Sequence, residues 1–148
     1  MHWAWRSYNE LTKDELYDLL ALRQEVFIFE QHCFCIDADY LDQKSIHFLG
    51  YEEDKLAAYL RILPNGLLYP EAFSIGRVLT APFARKKGLA KKMLEQALHY
   101  IKNQNGTCII LSAQLYLEKF YAEFGFETIS QPYDDAGIAH IDMRKYVL

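Results

Sequence analysis

The sequence predicts a three-layer α/β (α+β) domain. Three observations carry that prediction. A strand, a basic turn, an amphipathic helix and a second apolar strand follow one another across residues 74–113. Runs of strand character stand at both ends of the chain. Between them lie helical stretches whose apolar residues recur every three or four positions.

Taken in order, Trp3, Trp5 and Ser7 alternate with Ala4, Arg6 and Tyr8, which predicts a first strand. Thr12 and Glu15 form a capping box, the threonine accepting a backbone N–H and the glutamate reaching back. A helix follows to about Phe29, with Leu16, Leu19, Leu20, Val26 and Phe27 as its stripe. Arg23 interrupts that stripe and reads as a tethering ion pair, with a substrate contact as the alternative. Residues 30–42 read as a long loop or broken helix. Cys33 and Cys35 with His32 lack the second ligand pair of a structural zinc site. Asp37, Asp39 and Asp42 lack the glycine and distal glutamate of a calcium loop. They read as a solvated face, or as an acidic rim that attracts ammonium groups. No metal is expected.

Residues 46–51 and 55–63, separated by Glu53 and Asp54, form a predicted hairpin, and Pro64, Asn65 and Gly66 mark the turn at its end. The run Ile75, Val78 and Leu79 is the next strand. The helix after it places Leu89, Met93, Leu94, Ala97, Leu98 and Ile101 on one face. Residues 108–113 are a continuously apolar strand of the kind buried beside a parallel neighbour, completing a right-handed βαβ unit. Residues 115–124 form a second short helix stopped at Gly125. Strands at 126–133 and 138–147 end the chain.

The turn Arg85–Ala90 sits where the strand hands over to the helix. Unpaired N–H groups and the positive end of the helix dipole point outward there. Gly88 lets a ligand approach the backbone. Arg85, Lys86 and Lys87 add charge, so the turn suits a phosphate or pyrophosphate. One glycine followed by Leu89 does not make a nucleotide-hydrolysing P-loop, and the dinucleotide fingerprint is missing.

At 148 residues the chain is expected to be one domain, 1–148, burying about 70% of its unfolded surface. Its net charge of −4 argues against a nucleic-acid partner and suits a cationic substrate. No apolar run approaches the ~18 residues of a membrane span, and the first residues lack a signal peptide. With 3 cysteines, reduced thiols in the cytoplasm are the simplest reading.

Arg85-x-x-Gly88-x-Ala90 resembles the acyl-CoA pyrophosphate loop of the GNAT superfamily of N-acetyltransferases. Phe120-Tyr121-x-x-x-Gly125-Phe126 resembles the helix and strand after that family's CoA cleft. The closer resemblance is to its ElaA-like branch and covers nearly the whole chain. It runs through Leu22-Arg23, Val26-Phe27, Glu30-Gln31, Cys33, Asp39, Asp42 and His47. It continues at Ala58-Tyr59, Arg61, Leu63-Pro64, residues 75–78, Ala113-Gln114, Tyr133, Gly137-Ile138, His140 and Met143. Ala90 replaces a common glycine and Ala139 a common proline.

The resemblance implies a central mixed, twisted sheet of six to seven strands, with a V-shaped splay between two parallel strands and helices on both faces. It implies direct transfer of an acetyl group from acetyl-CoA to an amine of a small molecule or peptide. The cofactor would be held by the N–H groups of Lys86, Lys87, Gly88, Leu89 and Ala90 with Arg85, by the backbone of Arg77, Val78 and Leu79, and by Gln114. Tyr121 would be the general acid. The base is open among His140, His47, Glu30, Asp39 and a water, with His140 foremost. The alternative functions are a CoA-binding sensor without turnover and a phosphate-binding module. A homodimer is the common soluble assembly, but no motif specifies one.

Overall fold

The computed structural model describes residues 1–147. Its strands are β1 (His2–Ser7), β2 (Ile46–Glu52), β3 (Lys55–Leu63), β4 (Ser74–Thr80), β5 (Cys108–Gln114), β6 (Glu127–Thr128), β7 (Tyr133–Asp135) and β8 (Ile138–Tyr146). Its α-helices are α1 (Lys13–Arg23), α2 (Leu89–Asn103) and α3 (Glu118–Ala122). The strands form two four-stranded antiparallel sheets, β1-β2-β3-β4 and β5-β8 with β6 and β7 both along the far side of β8, where a single sheet of six to seven strands was expected. The two sheets meet at one parallel bridge between Phe73 and Ile109. There the Phe73 N–H donates to the Cys108 carbonyl and the Ile110 N–H to the Phe73 carbonyl, both at 2.9 Å.

Side-chain alternation along β2 and β3 explains the layers. Phe48, Leu60 and Ile62 face a core shared with Met93, Leu94, Ala97 and Ile101 of α2. Leu49 and Tyr59 face the opposite core, with Leu19 and Leu22 of α1 and Val26 beyond it. Edge strand β1 is pinned to the α2 side by Trp5. Its ring stacks on Phe48 at 4.1 Å and on Tyr100 at 4.6 Å, pairs worth about 0.5–1.5 kcal/mol each beyond their buried area.

Residues 115–124, expected as one helix, are a 3-10 turn at Leu115–Leu117 followed by α3, and two further elements differ from expectation. The Thr12 cap forms, with Thr12 Oγ1 and Glu15 Oε1 taking N–H groups at 3.0 and 2.9 Å, but α1 ends at Arg23 and residues Gln24–Glu30 continue as a π-helix. The final pair of strands is interrupted before β7. Pro132 has no N–H to donate, and Ser130 Oγ takes the Asp142 N–H at 2.9 Å where a ladder carbonyl would stand. Among the described residues no helix is long and apolar enough to cross a membrane.

Candidate active site

Beyond the Phe73 bridge, β4 pairs with β3 and β5 with β8, and a cleft of about 690 Å³ opens between them. Residues 75–80 line one wall, Ser112, Ala113 and Gln114 the other, and Tyr121 lies at its side. The β4 wall carries a bulge. Tyr59 stands opposite Leu79 and Arg61 opposite Gly76, so Arg77 and Val78 together face Leu60. Arg77 takes a left-handed φ of 52° to make it. Leu79 turns its side chain into the α1 core, leaving its backbone to the cleft.

Segment 30–37 crosses the cleft mouth as a strap tied at three points. Glu30 accepts two hydrogen bonds from Arg85, at 2.6 and 2.8 Å. The Gln114 side-chain amide donates to Gln31 Oε1 at 3.0 Å. Asp37 Oδ1 accepts from Arg77 Nε at 2.8 Å.

Below the strap, Asp37, Asp39 and Asp42 are not a solvated rim. Asp37 and Asp42 are buried, and they bind Arg23, which has 0% exposure, at 2.7 and 2.8 Å. Arg61 bonds Asp42 at 2.8 Å and Asp39 at 2.5 Å. A buried guanidinium is tolerable only when paired in this way, so Arg23 is the tether of the two readings. Burial opposes ionisation of Asp39, but the hydrogen bonds and charge of Arg61 outweigh it and hold that carboxyl well below the usual range. Asp42 is lowered in the same way, by Arg23 and Arg61 against its burial.

The four candidate bases divide. His47 has 0% exposure and both ring nitrogens are engaged, Nε2 with the Asp42 carbonyl at 2.9 Å and Nδ1 with the Tyr59 hydroxyl at 2.6 Å. A carbonyl only accepts, so Nε2 carries the proton and Nδ1 accepts from tyrosine. Neither His47 nor Asp39 lines the cleft, whereas Glu30 and His140 do. Glu30 is committed to Arg85, which lowers its carboxyl against a small burial effect. His140 Nδ1 donates to the Ile138 carbonyl at 2.8 Å, leaving the Nε2 lone pair free to accept a proton. Its ring stacks on Tyr133, whose hydroxyl contacts Ser112 and donates to Asp142 at 2.6 Å.

Tyr121 is buried edge-to-face between Phe120 and Phe126. Burial, with a smaller contribution from Tyr116, pushes its phenol up to about 12.

In the turn before α2, Gly88 takes φ 74° as the N-cap and no side chain caps the helix. A Cβ on Gly88 would meet nothing within 4 Å, so its outer side is open. Arg85 and Ala90 line the cleft. Lys86 is exposed, Lys87 reaches Glu52 at 3.2 Å, and the Leu89 side chain belongs to the core.

The Gln31–Gln114 and Asp37–Arg77 ties were not foreseen. One signal was available for the network: Arg61 is a lone charge inside the apolar run of β3.

A domain with this two-sheet order, and a cleft walled by two parallel strands beside a helix N-terminus, is of the acyltransferase class. The chain belongs to the GNAT family of acetyltransferases, matching the description "Acetyltransferase (GNAT) domain" over residues 12–147. It is 41% identical to the UPF0039 protein of Synechocystis sp. over 145 residues, covering 97% of this chain and 94% of that protein. It is 37% identical to protein ElaA of Escherichia coli, covering 100% of this chain and 98% of that one. The crystal structure of an acyl-CoA N-acyltransferase from Pseudomonas aeruginosa superposes with a TM-score of 0.92 at 35% identity, covering 97% of this chain and 98% of that one.

Proposed function

We propose that the protein moves an acetyl group from acetyl-CoA directly to a primary amine of a small molecule or peptide, and that it does so as one domain. The observation that carries this reading is the cleft itself. It joins an uncapped helix N-terminus, open at Gly88, to a buried tyrosine, along a strand bulge. The residues fit the donor. The N–H groups of Lys86, Lys87, Gly88, Leu89 and Ala90 would receive the pyrophosphate, with Arg85 beside them. The backbone of Arg77, Val78 and Leu79 would pair with the pantetheine amides as an added strand where β4 and β5 splay apart, with Gln114 opposite. An N–H at the bulge near Val78 would stabilise the oxygen that gains charge during attack.

Tyr121 protonates the departing thiolate, since its raised pKa keeps it an acid across the working pH range. His140 Nε2 takes the proton of the attacking amine, directly or through a water. An amine with a pKa of about 10 needs such help at neutral pH.

The test is a calorimetric titration with acetyl-CoA, with ATP as control ligand, followed by an amine panel read by thiol release. Saturable binding that ATP does not mimic, with turnover of at least one amine, is expected. Binding without turnover across the panel would leave a CoA-binding sensor. No binding by folded protein would remove the donor.

A further inference from the structure

The strap carries two thiols that acyl transfer does not use. Phe34 is fully exposed, while its neighbours Cys33 and Cys35 both turn inward and line the cleft. The two thiols stand two residues apart on the same strap and line the same cleft. Cys33 is buried, Cys35 is half-buried, and both are free. The Cys33 N–H is held by the Ile28 carbonyl at 3.2 Å, and the strap ties on either side keep the pair over the gap between β4 and β5. The third thiol, Cys108, stands at the start of β5 outside the cleft lining.

We propose that Cys33 and Cys35 are a thiol–disulfide exchange site for coenzyme A disulfide. This rests on the CoA reading above, because a nucleotide pyrophosphate seated on the turn at Gly88 sends the attached sulfur under the strap. The Cys35 thiolate attacks one sulfur of the CoA disulfide. That S–S bond breaks, one CoA thiolate leaves with the electron pair and takes a proton from solvent, and a Cys35–CoA mixed disulfide remains. The Cys33 thiolate then attacks the Cys35 sulfur and expels the second CoA thiolate, which is protonated in turn. Two protein thiols are oxidised to one disulfide, and one CoA disulfide is reduced to two CoA thiols.

Either protein product blocks acyl transfer. The adduct fills the channel, and the disulfide shortens the strap. Cys35 is raised to about 11, first by the neighbouring Cys33 thiol and then by burial, with Asp37 and Arg77 the charged groups facing it. Its thiolate fraction at neutral pH is therefore small, and the reaction depends on the high local concentration of a bound disulfide. The rate therefore rises as pH increases above neutrality.

The test incubates the reduced full chain with coenzyme A disulfide, with oxidised glutathione as a disulfide lacking the nucleotide. Intact and peptide masses are then read. Wild type is expected to lose two hydrogens at the Cys33/Cys35 peptide and release two CoA thiols. Cys33→Ser should stop at one CoA adduct on Cys35, and Cys108→Ser should behave as wild type. The CoA disulfide should react at least about tenfold faster than oxidised glutathione and be slowed by desulfo-CoA. Equal rates for the two disulfides, adducts spread over all three cysteines, or no reaction would each overturn the proposal in protein that binds acetyl-CoA in the calorimeter. Failure in the calorimeter itself would instead remove the CoA reading, and this one with it.

Discussion

Arg77 donates from Nε to Oδ1 of Asp37 at 2.8 Å, while Arg23 Nε occupies the other carboxylate oxygen at 2.7 Å. One aspartate thus neutralises the buried tether of α1 and fastens the strap to the bulge of β4. Sequence distances of 14 and 40 residues separate the partners.

Asp37→Ala leaves Arg23 buried with Asp42 as its remaining carboxylate. Breaking a buried pair from one side costs about 3–5 kcal/mol. We expect a large drop in the urea midpoint, with Asp37→Asn losing less because the amide keeps the volume and an acceptor oxygen. An unchanged midpoint in Asp37→Ala would mean that the network contributes no stability.

His47 links stability to pH. Burial holds its imidazole below the ordinary value, against the Asp42 carbonyl and carboxylate, so it folds neutral. The unfolded chain takes up that proton near pH ~6.5. The stability from a neutral His47 is therefore complete above that pH and is lost as pH falls toward the folded value, by at most about 1.4 kcal/mol per pH unit. Asp39 and Asp42 act lower. Their folded values are depressed, so their contribution is intact above pH ~4 and is lost below it. Urea midpoints between about pH 7 and 5 should slope in wild type and flatten in His47→Gln. An equal slope in both would assign the proton to another group.

The two proposed catalytic groups separate by pH. Tyr121→Phe should lower kcat by about 10²–10⁴-fold and leave acetyl-CoA affinity unchanged. His140→Gln should also lower kcat, but its deficit should shrink as rising pH deprotonates the acceptor amine unaided. A deficit that is constant from pH 7 to 10 would make His140 a positioning residue.

Arg85 is engaged by Glu30 in an exposed bidentate pair, 40% and 39% exposed. A ligand pyrophosphate competes for that guanidinium. Such a pair is worth up to about 1 kcal/mol, so Glu30→Gln should tighten acetyl-CoA binding by up to about fivefold at low salt. The gain should fade as salt screens the pair. Weaker binding in this variant would show that the strap tie matters more than the competition.

The sequence was most informative where structure is local. The Thr12 capping box, the α2 stripe from Leu89 to Ile101 and the apolar strand at Cys108 needed only neighbouring residues. The β4–β5 cleft was legible through the turn at Gly88 and through family resemblance. The π-helix at Gln24–Glu30 was not, because one extra residue per turn barely disturbs an apolar pattern that includes Val26 and Phe27. Of the Arg23–Asp37–Arg77 network, the sequence offers Arg23 as a tether but not its partners, for a different reason. Charge pairing across long separations leaves no periodicity, and an aspartate destined for burial looks like one bound for water. The interruption before β7 depends on a single serine hydroxyl replacing a carbonyl.

The left-handed residue of β4 is Arg77, although Gly76 stands beside it. Glycine would take that φ freely, whereas an L side chain gives up about 1–2 kcal/mol. What holds Arg77 there is its grip on Asp37, through Nε at 2.8 Å and through Nη2 to the backbone carbonyl at 3.0 Å. With the strap docked, these bonds offset the torsional cost of the kink; without them that cost is uncompensated. Strand geometry and strap docking thus form one cooperative unit, whose backbone amides should exchange with solvent together, at a common rate and with a common response to Asp37 substitution.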